Sequence, residues 1–279
     1  MQPRAERFEH AVSPVLAPWV EHAVGYRLTG FPAGVHVGMP SGSLTLVIPL
    51  DDPLTLSDPR GGRRAYGSVL AGLSAEPTLI HHDGTQHGVQ LGLRPGAARM
   101  LFGCRTAELT DGSFELGDVL GREADRLREQ LHATDSWQRR LELVEQLLIR
   151  RLGRSGESPA PEVAEAWRVI RRTGGAVPIR DVAARVGWSM RHLQQRFGAE
   201  FGLTPKTVAK VSRFERSVPL VAAASTPLAQ VAVACGYTDQ AHLTRDWVAL
   251  AGTSPARWRR QDALANGARA TDSAQRHTV

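Results

Sequence analysis

The sequence predicts an α+β protein in which an N-terminal β domain with a helical hairpin precedes an all-α domain containing two helix-turn-helix motifs. Three observations lead to this expectation. Short apolar runs cut by Gly, Pro and Asp occupy residues 26–114, and longer runs with helical spacing follow residue 121. Near the C-terminus, one pattern of about 27 residues occurs twice, which indicates an internal duplication.

Changes in composition place the boundaries between these parts. The segment GRSGESPAP lacks large apolar side chains and is rich in Gly, Ser and Pro, which is typical of a linker. Before it, Leu141, Val144, Leu148 and Leu152 form an apolar stripe that must pack either on the β domain or on a second copy of the chain. The expected parts are a β domain at 1–120, a helical segment at 121–152, a linker at 153–161, an all-α domain at 162–262 and a disordered tail at 263–279.

The second copy of the repeat shows the pattern most clearly. Thr226 and Pro227 suit the cap and the first position of a helix, and Gly236 ends that helix. A second helix is expected to begin after Thr238 or Asp239, both of which are good caps. At helical spacing, the residues expected to face inward are Leu228, Val231, Ala232, Cys235, Leu243, Trp247 and Leu250.

The first copy begins near Ile179 and keeps a fixed distance from the second. Ile179, Val182, Ala183, Gly187 and Trp188 lie 49 residues before their counterparts. After the turn the offset is 50, for Leu193, Phe197, Gly202, Thr204 and Pro205. Two short helices joined by a glycine turn are typical of a helix-turn-helix, whose second helix lies in the major groove of DNA.

A connecting helix is expected from Pro205 to about Ala224. At 1.5 Å per residue it would be about 30 Å long. Successive major-groove faces on one side of a duplex lie about 34 Å apart, so one chain would place both recognition helices in consecutive grooves. Pro219 is expected to interrupt this helix because proline removes a backbone hydrogen bond and clashes with the preceding turn.

On these residues the chain resembles the DNA-binding domain of the AraC/XylS family of bacterial transcription regulators. The resemblance covers about residues 162–262, and its most specific part is GYTDQAHLTRDW followed by GTSPARWR. The sequence departs from the family where Leu243 and Trp247 replace the usual Phe, and where Val248 replaces a basic residue. The resemblance implies DNA binding, and it implies that the N-terminal domain is a cupin-like jelly roll that binds a small-molecule effector.

The distribution of charge favours the same interpretation. Residues 162–262 hold 15 basic and 8 acidic groups, net +7, whereas residues 1–161 are net −2. A polyanion is therefore expected to meet only the C-terminal domain. Cys104 and Cys235 are too few for a disulfide framework, and the N-terminus resembles neither a signal peptide nor a membrane span. A reduced, cytoplasmic protein that does not contact membranes is expected.

Helix geometry selects the residues that would contact DNA. Outward positions of the recognition helices carry Arg and Gln, whose side chains pair with guanine and adenine, respectively, in the major groove. Positions that correspond to the family's base-contacting residues strengthen this hypothesis, while others are better placed for the phosphate backbone. The predicted DNA-binding residues are Ser189, Arg191, Gln194, Gln195, Arg196, Gln240, His242, Thr244 and Arg245.

Three histidines within seven residues, His81, His82 and His87, raise the question of a metal site. A metal-binding cupin would show His-x-His with a nearby Glu, and HHDGTQH has neither. Asp83-Gly84 is more typical of a hairpin turn. We therefore expect no metal ligands here, and these histidines together with Arg94 are candidates for the mouth of an effector pocket.

The sequence predicts a sequence-specific transcription regulator rather than an enzyme, with no catalytic residues and no cofactor. The alternative is a metal-dependent cupin enzyme fused to a DNA-binding domain. Expected partners are double-stranded DNA, a small-molecule effector, a second copy of the chain, and RNA polymerase if the protein is an activator.

Overall fold

The computed structural model describes residues 3–57, 62–152, 158–223 and 225–261. Residues 153–157 of the expected linker at 153–161, and all of the expected tail at 263–279, lie outside the described residues. Among the described residues, no helix has the length and apolar character to cross a membrane. Cys104 and Cys235 are both free thiols, and burial raises the pKa of Cys235 to about 11.

The N-terminal domain consists of two antiparallel sheets, which confirms the predicted β domain. The six-stranded sheet has the order β1-β2-β9-β4-β7-β10, and the four-stranded sheet has the order β3-β8-β5-β6. The strands are β1 Arg4–His10, β2 Val20–Thr29, β3 Gly34–Gly38, β4 Leu44–Pro49, β5 Leu54–Ser57, β6 Arg63–Tyr66, β7 Val69–Ala71, β8 Thr78–His82, β9 Gln86–Leu93 and β10 Ser113–Glu115.

The turn at Asp83-Gly84 joins the two sheets and is not a hairpin. Strand β8 before it pairs with β3 and β5, while β9 after it pairs with β2 and β4. Gly84 has a φ of 105°, and a Cβ there would lie 2.0 Å from the carbonyl oxygen of Phe31. The glycine is therefore required both by its backbone conformation and by the close approach of the neighbouring chain.

Side chains from both sheets fill the space between them. Val47 and Val69 of the larger sheet pack with Leu56 and Tyr66 of the smaller one, and Tyr26 borders this cluster. The other face of the larger sheet contributes its leucines to a second core, against the helices that follow.

A helical hairpin covers that face, as the sequence predicts. The short helix α1 Leu116–Leu120 precedes it, and the hairpin consists of α2 Arg122–His132 and α3 Trp137–Arg151. Helix α3 packs against β1, β2 and α2, and Leu141, Val144 and Leu148 of the predicted stripe are buried. The stripe is thus covered within the chain, and dimerisation through this segment stays a prediction.

The C-terminal domain contains seven helices in the described residues. They are α4 Pro161–Arg172, α5 Ile179–Arg185, α6 Met190–Phe201, α7 Pro205–Ala222, α8 Leu228–Ala234, α9 Gln240–Ala251 and α10 Pro255–Gln261. The pairs α5–α6 and α8–α9 are the two predicted helix-turn-helix motifs. Helix α7 connects them and, with 18 residues, is about 27 Å long.

Two details of the helix ends differ from the prediction. Helix α7 continues through Pro219 to Ala222 and is not interrupted there. Helix α8 begins at Leu228, with Pro227 in the cap position that Thr226 was expected to hold. Pro178 caps α5 in the same way, so both motifs begin alike.

Candidate nucleic-acid interface

The turn of each motif is built on a glycine in the left-handed conformation. Gly187 has a φ of 72° and Gly236 a φ of 79°. In both turns the next backbone N–H donates to a carbonyl five residues earlier, from Trp188 to Ala183 and from Tyr237 to Ala232, each at 2.9 Å. This geometry closes the first helix and directs the chain into the recognition helix.

A side-chain cap begins each recognition helix. The backbone N–H of His192 donates to Ser189 Oγ at 3.2 Å in α6, and that of His242 donates to Asp239 Oδ1 at 2.7 Å in α9. The hydrogen bond from the His242 backbone lowers the pKa of Asp239, and the positive charge of Arg245 acts in the same direction. The caps satisfy N–H groups at the end of the helix that would enter the groove.

Burial of the inward side chains fixes which face each recognition helix presents. Leu193 and Phe197 in α6, and Leu243 and Trp247 in α9, have no exposed surface. The opposite face is open to solvent, except that Thr244 is half-buried. The exposed residues on this face are Met190, Arg191, Gln194 and Gln195 in α6 and Gln240, Ala241 and Arg245 in α9.

Three predicted contact residues have more particular surroundings. Ser189 is exposed but is also the cap of α6, and Arg196 is exposed beside the outward face. The His242 ring contacts its own motif, because Nδ1 lies 3.1 Å from Thr238 Oγ1 and the ring meets Tyr237 edge-on. Of the nine predicted residues, His242 is therefore among the least available to DNA.

The aromatic residues after the turn glycines pack inside the motifs. Tyr237 is buried, and burial, with a smaller contribution from the negative charge of Asp246, raises its pKa. Trp188 is partly buried and packs on the core shared by the larger sheet and the helices, with His192 edge-on at 4.6 Å between ring centroids. Core packing, rather than stacking on nucleotides, is thus their role in the structure.

The histidines of the HHDGTQH segment do not converge on one site. His81 contacts Ser57 and Arg63 on the smaller sheet, and His82 lies beside His36 on the same sheet. His87 lies on the larger sheet beneath α3. Among the described residues no group of three or more His, Cys, Asp or Glu side chains is arranged to hold a metal ion.

His87 and Arg94 are occupied by other contacts. His87 Nδ1 lies 3.1 Å from Asp51, while its Nε2 lies 3.3 Å from Arg27 and 3.4 Å from Arg140. Burial lowers the pKa of His87, and the two arginines act in the same direction. Arg94 is half exposed and pairs with Glu21 at 3.6 Å. The structure thus gives His87 and Arg94 separate contacts, and their part in an effector pocket stays a prediction.

Two residues, Arg180 and Glu200, were not predicted from the sequence. Arg180 is four-fifths exposed in the first turn of α5, and the first helix of such a motif crosses the DNA backbone. Glu200, near the end of α6, is buried against Arg99 of the N-terminal domain. A sequence signal existed for Glu200, because a carboxylate occupies a position where the second repeat has the core residue Leu250.

Comparison with protein families agrees with this geometry. Residues 182–261 match a family model described as a helix-turn-helix domain. The C-terminal region is therefore a helix-turn-helix domain. No curated protein sequence matches the chain at a significant level.

Solved structures give the extent of the likeness. An apo form of a ToxT variant from Vibrio cholerae has a TM-score of 0.50 at 9% identity, covering 93% of this chain and 97% of that chain. The C-terminal domain of AraT, a response regulator from Geobacillus stearothermophilus, covers 38% of this chain and 88% of its own, with 21% identity and a TM-score of 0.36. The DNA-binding domain of the global transcriptional factor AdpA, in complex with a target DNA, covers 39% of this chain and 98% of its own, with 21% identity and a TM-score of 0.36.

Proposed function

We propose that the protein is a transcription regulator that reads DNA sequence with α6 and α9 in consecutive major grooves. The observation that carries this proposal is the pair of capped recognition helices, each with a buried apolar face and an exposed row of Arg and Gln side chains. Helix α7, about 27 Å long, separates the motifs by a distance near the roughly 34 Å between grooves on one side of a duplex.

The chemistry of the exposed side chains supports base reading. Arg191 and Arg245 carry planar guanidinium groups that can donate two hydrogen bonds to guanine O6 and N7. Gln194, Gln195 and Gln240 can pair with adenine N6 and N7 in the same way. Arg196 and Arg180 lie outside these rows and suit phosphate oxygens, which give affinity without sequence preference.

The N-terminal β-sandwich is proposed to be the sensing domain, responding to a small-molecule effector. The support is its separate two-sheet architecture and its attachment to the first motif through a shared core. A homodimer, and RNA polymerase contact in the case of an activator, belong to the same proposal. Because the target is DNA, we place the protein in the cytoplasm.

Alanine variants of the recognition helices test the proposal. A preferred duplex is first selected from random sequences with the full chain, and affinities are then measured for this duplex and a scrambled one at several salt concentrations. Arg245→Ala is expected to weaken specific binding by roughly 1–3 kcal/mol and to relax the preference at one base pair. Arg191→Ala and Gln240→Ala should each act at a different base pair.

Arg185→Ala is the matched control. It removes one exposed arginine of the same domain, but Arg185 lies on α5 and pairs with Glu165 at 2.9 Å. It should leave base preference unchanged. If all three recognition-helix variants weakened binding equally on both duplexes and only reduced the salt slope, the contacts would be to phosphates and the assignment to base reading would be wrong.

A further inference from the structure

The first recognition helix is held at its C-terminal end by the N-terminal domain. Arg99 Nε and Nη2 donate to the two carboxylate oxygens of Glu200, each at 2.8 Å. Glu200 has only 8% of its side chain exposed, so this is a charge-assisted, two-point contact in a largely dry environment. A contact of this geometry fixes the orientation of the helix end as well as its distance.

A second hydrogen bond accompanies the ion pair. Thr110 Oγ1 donates at 2.8 Å to the carbonyl oxygen of Phe201, one of the terminal carbonyls that have no partner within the helix. The close approach depends on Gly202, because a Cβ at that position would lie 2.3 Å from Thr110 Oγ1. Two residues of the N-terminal domain thus hold the last turn of α6.

The second motif, as an internal copy, shows that these contacts are not part of the motif itself. Leu250, the counterpart of Glu200, is fully buried in its own core. Gly252, the counterpart of Gly202, has the same left-handed backbone, but a Cβ there would meet nothing within 4 Å. The carboxylate and the crowded glycine are therefore particular to the motif that meets the N-terminal domain.

The contact leaves the reading face of α6 open. Arg191, Gln194 and Gln195 remain exposed while Arg99 and Thr110 are engaged. The N-terminal domain therefore does not cover this helix but supports it from behind. Since α6 is about 18 Å long, a tilt of about 10° at its held end would displace the groove end by about 3 Å. Such a displacement exceeds what a base hydrogen bond tolerates.

The segment that makes these contacts is itself anchored to the rest of the N-terminal domain. Arg151 of α3 donates to the carbonyl of Leu101 at 3.0 Å, and Thr106 Oγ1 donates to that of Pro95 at 2.6 Å. The backbone N–H of Asp111 donates to the carbonyl of Leu73 at 2.8 Å. Movements of the sandwich or of the hairpin would therefore reach α6 through residues 99–110.

We propose that Arg99 and Thr110 are positioning residues for DNA recognition, which act through Glu200 and the Phe201 carbonyl to set the orientation of α6 in its groove. This inference rests on the proposed function. It makes the N-terminal domain a support required for reading the half of the site that α6 contacts, while α9 reads its half independently of this contact.

The test uses the full chain and a duplex selected by the wild-type protein. Arg191→Ala identifies the half of the site read by α6, and Arg245→Ala identifies the half read by α9. Discrimination is the ratio of the affinity for the selected duplex to the affinity for a duplex altered in one half. A change in the overall charge of the protein alters both affinities by the same factor and therefore leaves this ratio unchanged. The variants are Arg99→Glu, Glu200→Arg, their combination and Thr110→Val, each checked for wild-type circular dichroism.

The single charge reversals should reduce discrimination in the α6 half about tenfold, as expected if the oriented state falls to roughly a tenth of the population. Discrimination in the α9 half should stay at the wild-type level, and the double reversal should restore the α6 half. Thr110→Val, which keeps the shape and removes the hydroxyl, should cause a smaller loss in the same half. Arg105→Glu is the control, because Arg105 lies in the same segment, is half exposed and pairs with Glu108, three residues further along the chain.

Unchanged discrimination in the α6 half for the single reversals and for Thr110→Val would overturn the inference. Equal losses in both halves, or a double reversal that restores nothing, would show that the interface only maintains the fold, and would overturn it as well. A wild-type chain that selects no sequence would contradict the proposed function itself. That result is distinguishable because it appears before any variant is made.

Discussion

In the first motif, the recognition helix ends against another domain, whereas in the second it ends against its own core. Phe197 belongs to one continuous cluster of buried residues that extends from the β-sandwich through α3 and α4 to α6. Trp247 belongs to a separate cluster made of α7, α8, α9 and α10, with Met39 and Ala75 of the N-terminal domain packed at its border. Two copies of one sequence pattern thus differ in what they are coupled to.

This difference shows how a duplicated motif acquires two roles. The repeat preserves the turn glycines, the caps and the inward residues, so both copies can present a recognition helix. Glu200, at the position where the second motif has the core residue Leu250, gives one copy a charged anchor for the N-terminal domain. A movement of the N-terminal domain would therefore reach the two recognition helices unequally.

The largest effect is expected from truncating the central aromatic residue of each core. Trp247→Ala should destabilise the second motif by about 3–5 kcal/mol, because a fully buried indole is lost along with its hydrogen bond to Ser217. Hydrogen exchange should then accelerate in α8–α10 and stay near wild type in α5 and α6. The matched Phe197→Ala should instead accelerate exchange in α6 and also in residues 99–110.

Accelerated exchange throughout the chain in both variants would contradict the separation of the two cores. The comparison between variants matters more than either magnitude, since both remove a fully buried aromatic side chain at the same position of the repeat.

A smaller loss of stability is expected from replacing the two glycines that end the recognition helices, Gly202 and Gly252. Gly252→Ala should cost about 1–2 kcal/mol, because an alanine must adopt the left-handed conformation there. Gly202→Ala carries the same backbone strain and in addition forces Thr110 to move. We expect the free energy of unfolding, measured with urea, to fall more for Gly202→Ala. Equal losses would show that the contact with Thr110 is easily relaxed.

The repeat made the C-terminal domain predictable from the sequence. Turn glycines, caps and inward residues are local features, and two copies of each confirmed one another at offsets of 49 and 50. The recognition faces followed from helical geometry alone. In contrast, Asp83-Gly84 has a hairpin-like sequence, yet the strands on either side of it belong to different sheets. The sheet that each strand joins depends on its pairing with strands distant in the chain, which a local sequence pattern does not show.

The contact between the two domains could not be predicted from the sequence either. Arg99 and Glu200 lie about 100 residues apart, and no local pattern pairs them. Only the misfit of a carboxylate in an apolar repeat position pointed to Glu200, and nothing in the sequence indicated its partner. For the same reason the histidines of HHDGTQH could be grouped by sequence distance, although the fold separates His87 from His81 and His82.

The smallest expected effect concerns the caps of the recognition helices, which are an ionisable Asp239 in α9 and a neutral Ser189 in α6. The folded-state pKa of Asp239 is depressed below its ordinary value of 3.8, chiefly by the His242 backbone N–H. Its ionised form therefore stabilises the fold at neutral pH, and this contribution is lost as the pH falls through the depressed value. The difference in stability between wild type and Asp239→Ser should thus be constant above about pH 5 and shrink on acidification.

The reciprocal variant, Ser189→Asp, should give the first motif the same pH dependence, because a carboxylate at a helix N-terminus gains from both the hydrogen bond and the helix dipole. Measuring both variants against wild type from neutral to acidic pH cancels the titration of all other groups. Differences that did not change with pH would show that the charge of Asp239 adds nothing to its hydrogen bond, and the two caps would then be equivalent.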